Sequence, residues 1–348
     1  MTSLRLVGFD DLGPAGLDAW HGLRNADPAL DSPYFHPGFA ASVHASGRAV
    51  SVLVGQADDG TITALLPVHR DRSALRPAGW PAADFQGPLL APGTSFPVAA
   101  LLGGGVRSFA FDHLATGTAD FEPWIESRRE SPFLDVTGGL TGYLGRASRS
   151  GKDNLGQARR RAAKAEREFG PVRFAADDPD PAVLAQVIAL KRAQYAATGA
   201  RDYFAEARRR DLLASLLRTR DPEFGGVLST LRAGPHLLAA HFGLRSGGVL
   251  HWWFPVYDPA FATLSPGWML LRELVVAAPA LGLTRIDLGR GDDEYKRRAK
   301  TGASVVCQGI VGRGPARRLG RRAVAAVRQS RFGPGARYLV RALRAPLT

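Results

Sequence analysis

Hydrophobic and polar positions along the chain change period several times, and each change marks an element. β-type runs fall at 4–9 (LRLVGF) and at 49–71, where two of them flank Asp59-Gly60 as a hairpin. Short strands are predicted at 107–112 and 132–136, and three more β-type runs separated by Gly-rich turns fill 225–258. The hairpin at 49–71 has the layout of the first two of those three runs, which suggests an internal duplication. Helical spacing is read near 14–24, after a turn within 32–45, over the polar stretch 149–168, and over 206–219. A further helix follows Asp180 as N-cap and Pro181 at the first helical position.

The clearest unit lies near the C-terminal end. Ser265 is a good N-cap, Pro266 suits the first helical position, and Leu264 and Met269 occupy the two hydrophobic-staple positions. Trp268, Leu271, Val275 and Ala278 then share a face, and Pro279 and Gly282 stop the helix. LTRIDLG re-enters a sheet, and the charged loop GRGDDEYKRR follows. The run 83–93 (ADFQGPLLAPG) is too rich in Gly and Pro to be regular. Within HWWFPVYD (251–258), Pro255 should make the strand splay or bulge.

Length and composition narrow the class. At 348 residues, 45% of them hydrophobic, the chain exceeds one ordinary core. We expect an α/β fold of mixed sheets in two domains, 1–148 and 149–312, followed by a basic tail, 313–348. No run of 18 apolar residues argues for a membrane span. The start MTSLRLVGFDDLG lacks a basic region leading into an apolar one, so the expected location is cytoplasmic. The single Cys307 excludes an internal disulfide framework and reads as a buried strand residue. The eight His residues lack metal-ligand spacing, so no metal is expected. Of the net charge of +13, ten Arg between 313 and 348, with no acid among them, supply all but +3. Only five of the 45 basic residues are Lys: 152, 164, 191, 296 and 300.

Candidate chemistry concentrates in the last unit. A helix N-terminus offers unpaired N–H groups, so Ser265, Pro266 and Gly267 are a candidate phosphate cradle, although the same residues also simply start a helix well. In the charged loop, Arg290 and Lys296 suit an anion. Asp292 or Glu294 would accept a proton and Tyr295 would donate one, unless the loop is only a solvated, self-neutralised turn. His251 reads more naturally as a satisfied strand residue than as a base. No P-loop, zinc-protease or nucleophile-elbow motif occurs.

These stretches, taken in order, resemble a known family. KDNLGQARRR, LAAHFGLRSGGVLHWWFPVYDPAF, LSPGWMLL and GLTRIDLGRGDDEYKRRAKTG look like the acyltransferase domain of GNAT-superfamily proteins associated with cellulose and exopolysaccharide biosynthesis. SPYFHPGF and LRPAGWPAADFQGPLL match in the N-terminal half, so the resemblance covers roughly 30–312. It implies two tandem GNAT-like domains with a cleft between them, as in Fem-type transferases, and acyl transfer from acetyl-CoA or another acyl-CoA to an amine. The acceptor implied is a small-molecule or lipid-linked amine, commonly an amino sugar. The resemblance also assigns roles. The strand at Trp253 and Phe254 would polarise the thioester carbonyl, Ser265 to Gly267 would hold the cofactor phosphates, and Asp292 or Glu294 would be the base. Tyr295 or Tyr257 would be the acid, and Asp84, Gln86 and His251 would face the acceptor. Only LSPG stands where the family carries a longer Q/R-x-x-G-x-G/A loop, which keeps an aminoacyl-tRNA donor open as an alternative, beside a non-catalytic scaffold. For the basic tail three readings stand: packing on the first domain, contact with anionic lipid at the inner face of the membrane, or RNA binding.

Overall fold

In a computed structural model of the chain, residues 3–115, 119–219, 221–291 and 293–312 are described. The strands are β1 (Ser3–Gly8), β2 (Ser51–Gln56), β3 (Ile62–Asp71), β4 (Ala74–Pro77), β5 (Leu89–Leu90), β6 (Ser108–Ala115), β7 (Ile125–Asp135), β8 (Val172–Ala175), β9 (Phe224–Ala233), β10 (His236–Ser246), β11 (Val249–Tyr257), β12 (Arg285–Asp287) and β13 (Gly302–Gly312). The helices are α1 (Gly13–Ala26), α2 (Pro37–Ala45), α3 (Gly139–Arg146), α4 (Arg149–Phe169), α5 (Pro181–Thr198), α6 (Ala207–Arg218), α7 (Pro266–Ala277) and α8 (Glu294–Ala299). Among the described residues no helix is long and apolar enough to cross a membrane.

All the strands join one mixed sheet, ordered β1-β2-β3-β4-β6-β13-β7-β12-β11-β10-β9-β8, with β5 beside β3. The order reads alike from both ends. Each half begins with antiparallel neighbours and then adds a parallel strand: β4 beside β6, and β11 beside β12. Each half then gives its last strand to the other. β13 pairs with β6, and β7 pairs with β12, so the two halves interlock at the centre. The expected division after 148 falls at the start of α4, where the Ser148 hydroxyl accepts from the Gly151 N–H at 3.1 Å.

Helices cover both faces. On one face α1, α2, α5 and α6 bury a core that runs across both halves, with Trp20, Phe35, Phe39, Leu184, Leu213 and Phe242 in it. On the other face α3, α4 and α7 pack Tyr143, Leu155, Leu274 and Ile286 together, while Phe96, Phe109, Phe111 and Phe121 fill a smaller cluster over the first half. α4 lies with Leu155, Ala158 and Ala165 inward and shows most of its cations to solvent. Cys307 is buried in β13.

Where the second half has α7 between β11 and β12, the first half has only residues 78–107 between β4 and β6. Pro81, Pro88, Pro92 and Pro97 deny that segment an α-helix, and its only helical turn is the short 3-10 segment Val98–Leu101. It is instead tied to β6. The Gln86 N–H donates to the His113 carbonyl at 2.9 Å, and the Ala115 N–H donates to the Gln86 carbonyl at 2.8 Å. The tip of this loop thereby reaches the second half, where Trp253 Nε1 donates to the Ala82 carbonyl at 2.9 Å.

The core holds neutral histidines. Burial draws His36 and His69 down to about 4 and His241 to about 3. His69 is fixed as one tautomer, Nδ1 at 2.8 Å from the Ala49 carbonyl and Nε2 accepting from the Gly79 N–H at 2.9 Å. Because these folded-state values lie below the ordinary 6.5, the unfolded chain binds more protons as the pH falls. Their contribution to stability is therefore complete above about pH 6.5 and is lost as the pH drops towards 4. Thermal melts should show a midpoint that is flat between pH 7 and 8 and falls steadily below 6.5; a midpoint unchanged down to pH 4.5 would contradict the burial argument.

Candidate active site

The parallel pairing of β11 and β12 ends after three residue pairs, the last being His251 with Asp287. Beyond it the strands part, and one edge of β11 is left facing a cavity of about 550 Å³. Trp252, Trp253, Pro255, Val256 and Tyr257 line one wall, and the start of α7 forms another through Ser265 to Trp268 with Leu270 and Leu271. Leu288 after β12, Asp293, and Tyr295 and Lys296 on α8 close the third side. Asp84 enters from the first half, and Lys191 and Gln194 from α5.

The sequence placed a bulge at Pro255, but it lies elsewhere. Pro255 stays in register with His241, and the irregularity falls between Phe242 and Leu244, opposite Trp252 and Trp253. Gly243 explains the position, since a Cβ there would sit 2.3 Å from the His251 carbonyl oxygen and 2.4 Å from His241 Nε2. The splay that bears on the site is the parting of β11 from β12, and the Pro255 carbonyl accepts from Lys191 Nζ at 2.9 Å.

Ser265 stands at the N-cap position, as expected, but in the left-handed region (φ 49°, ψ 57°) and without a side-chain cap bond. A non-glycine residue there is held at an energetic cost of order 1–3 kcal/mol. Its carbonyl instead accepts from Trp268 and Met269, while among the described residues the Gly267 N–H makes no hydrogen bond. Nothing lies within 4 Å of a Cβ built on Gly267, so the first turn is open to a ligand.

Asp84 is the best-anchored group in the cavity. One carboxylate oxygen lies 3.0 Å from His251 Nε2, and the other lies 3.3 Å from His113 Nε2. Its side chain is 25% exposed, so part of it remains open to the cavity. Burial favours the protonated acid, but the His251 hydrogen bond and the charges of His113, His251 and Lys296 prevail and bring it down to about 2. His113 Nδ1 is held in turn by Asp112 at 2.9 Å. Tyr295 is pushed well above the ordinary phenol range, by burial first and then by Asp293, so it keeps its proton near neutrality. Lys296 donates to the carbonyls of Gly289 (3.2 Å) and Arg290 (3.1 Å) and stands 3.5 Å from Asp293.

Of the residues singled out from sequence, Asp84, Trp253, Tyr257, Ser265, Pro266, Gly267, Tyr295 and Lys296 meet in this one cavity. Others do not line it. Glu294 projects to solvent in an ion pair with Arg298, and its neighbour Asp293 lines the cavity. Arg290 turns to the first half and donates to the Asp112 carbonyl at 2.5 Å. Phe254 packs in the core against Phe204, ring centroids 4.9 Å apart. Gln86 is spent tying its loop to β6, donating to Ala83 and Asp112 and accepting from the Asp112 and His113 N–H groups. His251 is buried behind Asp84. Asp292 and the tail lie outside the described residues. Lys191 and His113 were missed. The signal for Lys191 was available, because a lysine on an apolar helix is conspicuous in a chain that uses Arg eight times as often.

Residues 152–297 match the family model described as the acetyltransferase (GNAT) domain. The chain is an acyltransferase on that match, and its matched segment, from α4 to α8, supplies every described residue that lines the cavity except Asp84. No curated protein is matched by the sequence. Solved structures share the fold along nearly the whole chain. FemX aligns with a TM-score of 0.60 at 9% identity, covering 88% of this chain and 97% of that one. A tandem GNAT protein from the clavulanic acid biosynthesis pathway aligns at 0.50 and 11% identity, covering 90% and 99%. L-PGS from Bacillus licheniformis aligns at 0.50 and 13% identity, covering 89% and 95%.

Proposed function

We propose that this protein transfers an acyl group from an acyl-CoA thioester to the amine of a small or lipid-linked acceptor, an amino sugar of a cell-surface glycan precursor. The observation that carries this reading is the meeting of three features in one cavity: the open first turn of α7, the bare edge of β11, and the ionised Asp84. A cavity of about 550 Å³ accommodates a thioester arm and an amine side by side. In this reading the Gly267 N–H and the positive end of α7 take the cofactor phosphates, and the bare β11 edge orients the thioester. The amine enters neutral and attacks the carbonyl carbon. Its nitrogen becomes positive as the C–N bond forms, and Asp84 stabilises that charge. The C–S bond then breaks, Tyr295 gives its proton to the departing thiolate, and the proton shed by nitrogen replaces it. Tyr257, exposed at the cavity mouth, is a second donor to the thiol. The reading places the protein in the cytoplasm, with the basic tail touching anionic lipid.

Titration calorimetry of the full chain with acetyl-CoA tests the donor. Micromolar binding is expected, weakened at least tenfold in Gly267→Trp, whose indole would fill the space before α7. Absence of binding to any acyl-CoA would overturn the reading and turn it over to an aminoacyl-tRNA donor.

A further inference from the structure

Among the described residues four charged side chains line the cavity: Asp84, Lys191, Asp293 and Lys296. Three of them are answered by the protein itself. Lys296 is spent on two carbonyls and faces Asp293, and Asp84 is held by two histidines. Lys191 differs. Its ammonium makes one hydrogen bond, to the Pro255 carbonyl, and lies 5.6 Å from the Tyr195 ring. Among the described residues no carboxylate comes within ion-pair distance of it, which leaves donors directed to the cavity. A half-buried ammonium without a counter-ion is costly, and its position on α5 is fixed by the same helix that packs Val183, Leu184, Val187 and Ile188 into the core. The cavity therefore holds one carboxylate suited to a cation and one ammonium that lacks an anion.

We infer that the acyl acceptor carries an anionic group as well as its amine, with Asp84 facing the amine and Lys191 serving as counter-ion for the carboxylate or phosphate. This rests on the reading of the cavity as the acyl-transfer site. It narrows the acceptor to zwitterionic molecules, among them amino acids and amines borne on a phosphate. Burial, and then the charge of Lys296, draws the Lys191 ammonium down to about 8 against a weaker pull from Asp293, as expected of a cation awaiting its partner.

The five lysines make a direct test practical. In full-length protein labelled with ¹³C at lysine Cε, the Lys191 signal is assigned by its loss in Lys191→Arg and titrated with pH. The titration is repeated with 2-aminoethyl phosphate or β-alanine, with ethanolamine or β-alaninamide as partners lacking the anion, and with coenzyme A. At least one zwitterion should raise the Lys191 midpoint by a unit or more while its counterpart lacking the anion does not. Lys191→Met should weaken that zwitterion tenfold or more and change coenzyme A affinity less than twofold. A shift caused by coenzyme A alone would assign the anion to the donor and overturn the inference, as would no shift with any probe. A marked fall of the ligand-free midpoint in Asp292→Asn would reveal a protein counter-ion and also overturn it. Failure of coenzyme A to bind, with the zwitterion shift intact, would sink the donor assignment and leave this inference standing.

Discussion

Asp84→Asn is expected to lower kcat/KM for acyl transfer from acetyl-CoA to an amine by about 10²–10³ while leaving the protein folded. Asn keeps the volume, and its carbonyl oxygen can still accept from His251. What disappears is the charge. With a pKa near 2, Asp84 is far too weak a base to deprotonate an ammonium. In the proposed reaction its contribution is to stand, already ionised and held from both sides, where the attacking nitrogen turns positive. That distinction shows in the pH profile. Loss of a charge lowers the rate evenly from pH 6 to 9, whereas loss of a titrating base would remove a limb of the profile. Glu294→Gln supplies the contrast, since its carboxylate is paired with Arg298 at the surface; its rate should change less than twofold. A variant Asp84→Asn with near wild-type kcat/KM, or a Glu294→Gln variant crippled a hundredfold, would reverse the two assignments.

The unit from 264 to 288 was legible in the sequence because its determinants are local, whereas residues 294–299, read as part of a charged loop, form the helix α8. Leu264, Met269 and Pro266 fix where α7 begins, and both staple residues are buried as the spacing implied. Asp180 caps α5 by accepting from Ala182 at 2.7 Å, again a contact two residues long. What could not be read was set by distant partners. Asp84 lies in an irregular loop, and its character comes from His251, 167 residues away in sequence, and from His113. The insertion of β13 between β6 and β7 is equally non-local, and nothing within GASVVCQGIVG says which strands it will join. The sequence singled out Asp292 and Glu294, whereas the carboxylate that lines the cavity is Asp293, one position before Glu294 at the start of α8. A step of one position there rotates a side chain by about 100°, which separates the cavity from solvent. Ser265 illustrates a different limit. Its place was correct, but its backbone is left-handed because it also ends the 3-10 segment Pro259–Leu264 as C-cap, and its hydroxyl makes no cap bond.

Arg285→Met is expected to destabilise the fold by about 3–5 kcal/mol at pH 7, measured by urea unfolding. Arg285 holds Asp31 of the first half through both terminal nitrogens and reaches Asp287 at 3.0 Å through Nε. Asp31 remains partly in water when the arginine is removed, but Asp287 is only 1% exposed and keeps no equal partner. Burial already raises Asp287 above the ordinary carboxylate range, with Arg285 and then His251 opposing it. Without Arg285 the rise is larger. A folded-state value above the unfolded one means stability that is present below the ordinary carboxylate range and lost as the pH climbs through the raised value. The gap between variant and wild type should therefore be wide at pH 7 and narrow as the pH falls. Asp287 is also the residue opposite His251 in the last pair before β11 and β12 part, so the same charge sits under the group that anchors Asp84. If the cost comes from the stranded carboxylate, Arg285→Met with Asp287→Asn will be more stable at pH 7 than Arg285→Met alone. If the double variant is less stable than the single one, the stranded charge is not the cause, and the loss lies in the bond from Arg285 to Asp31 that ties the two halves together.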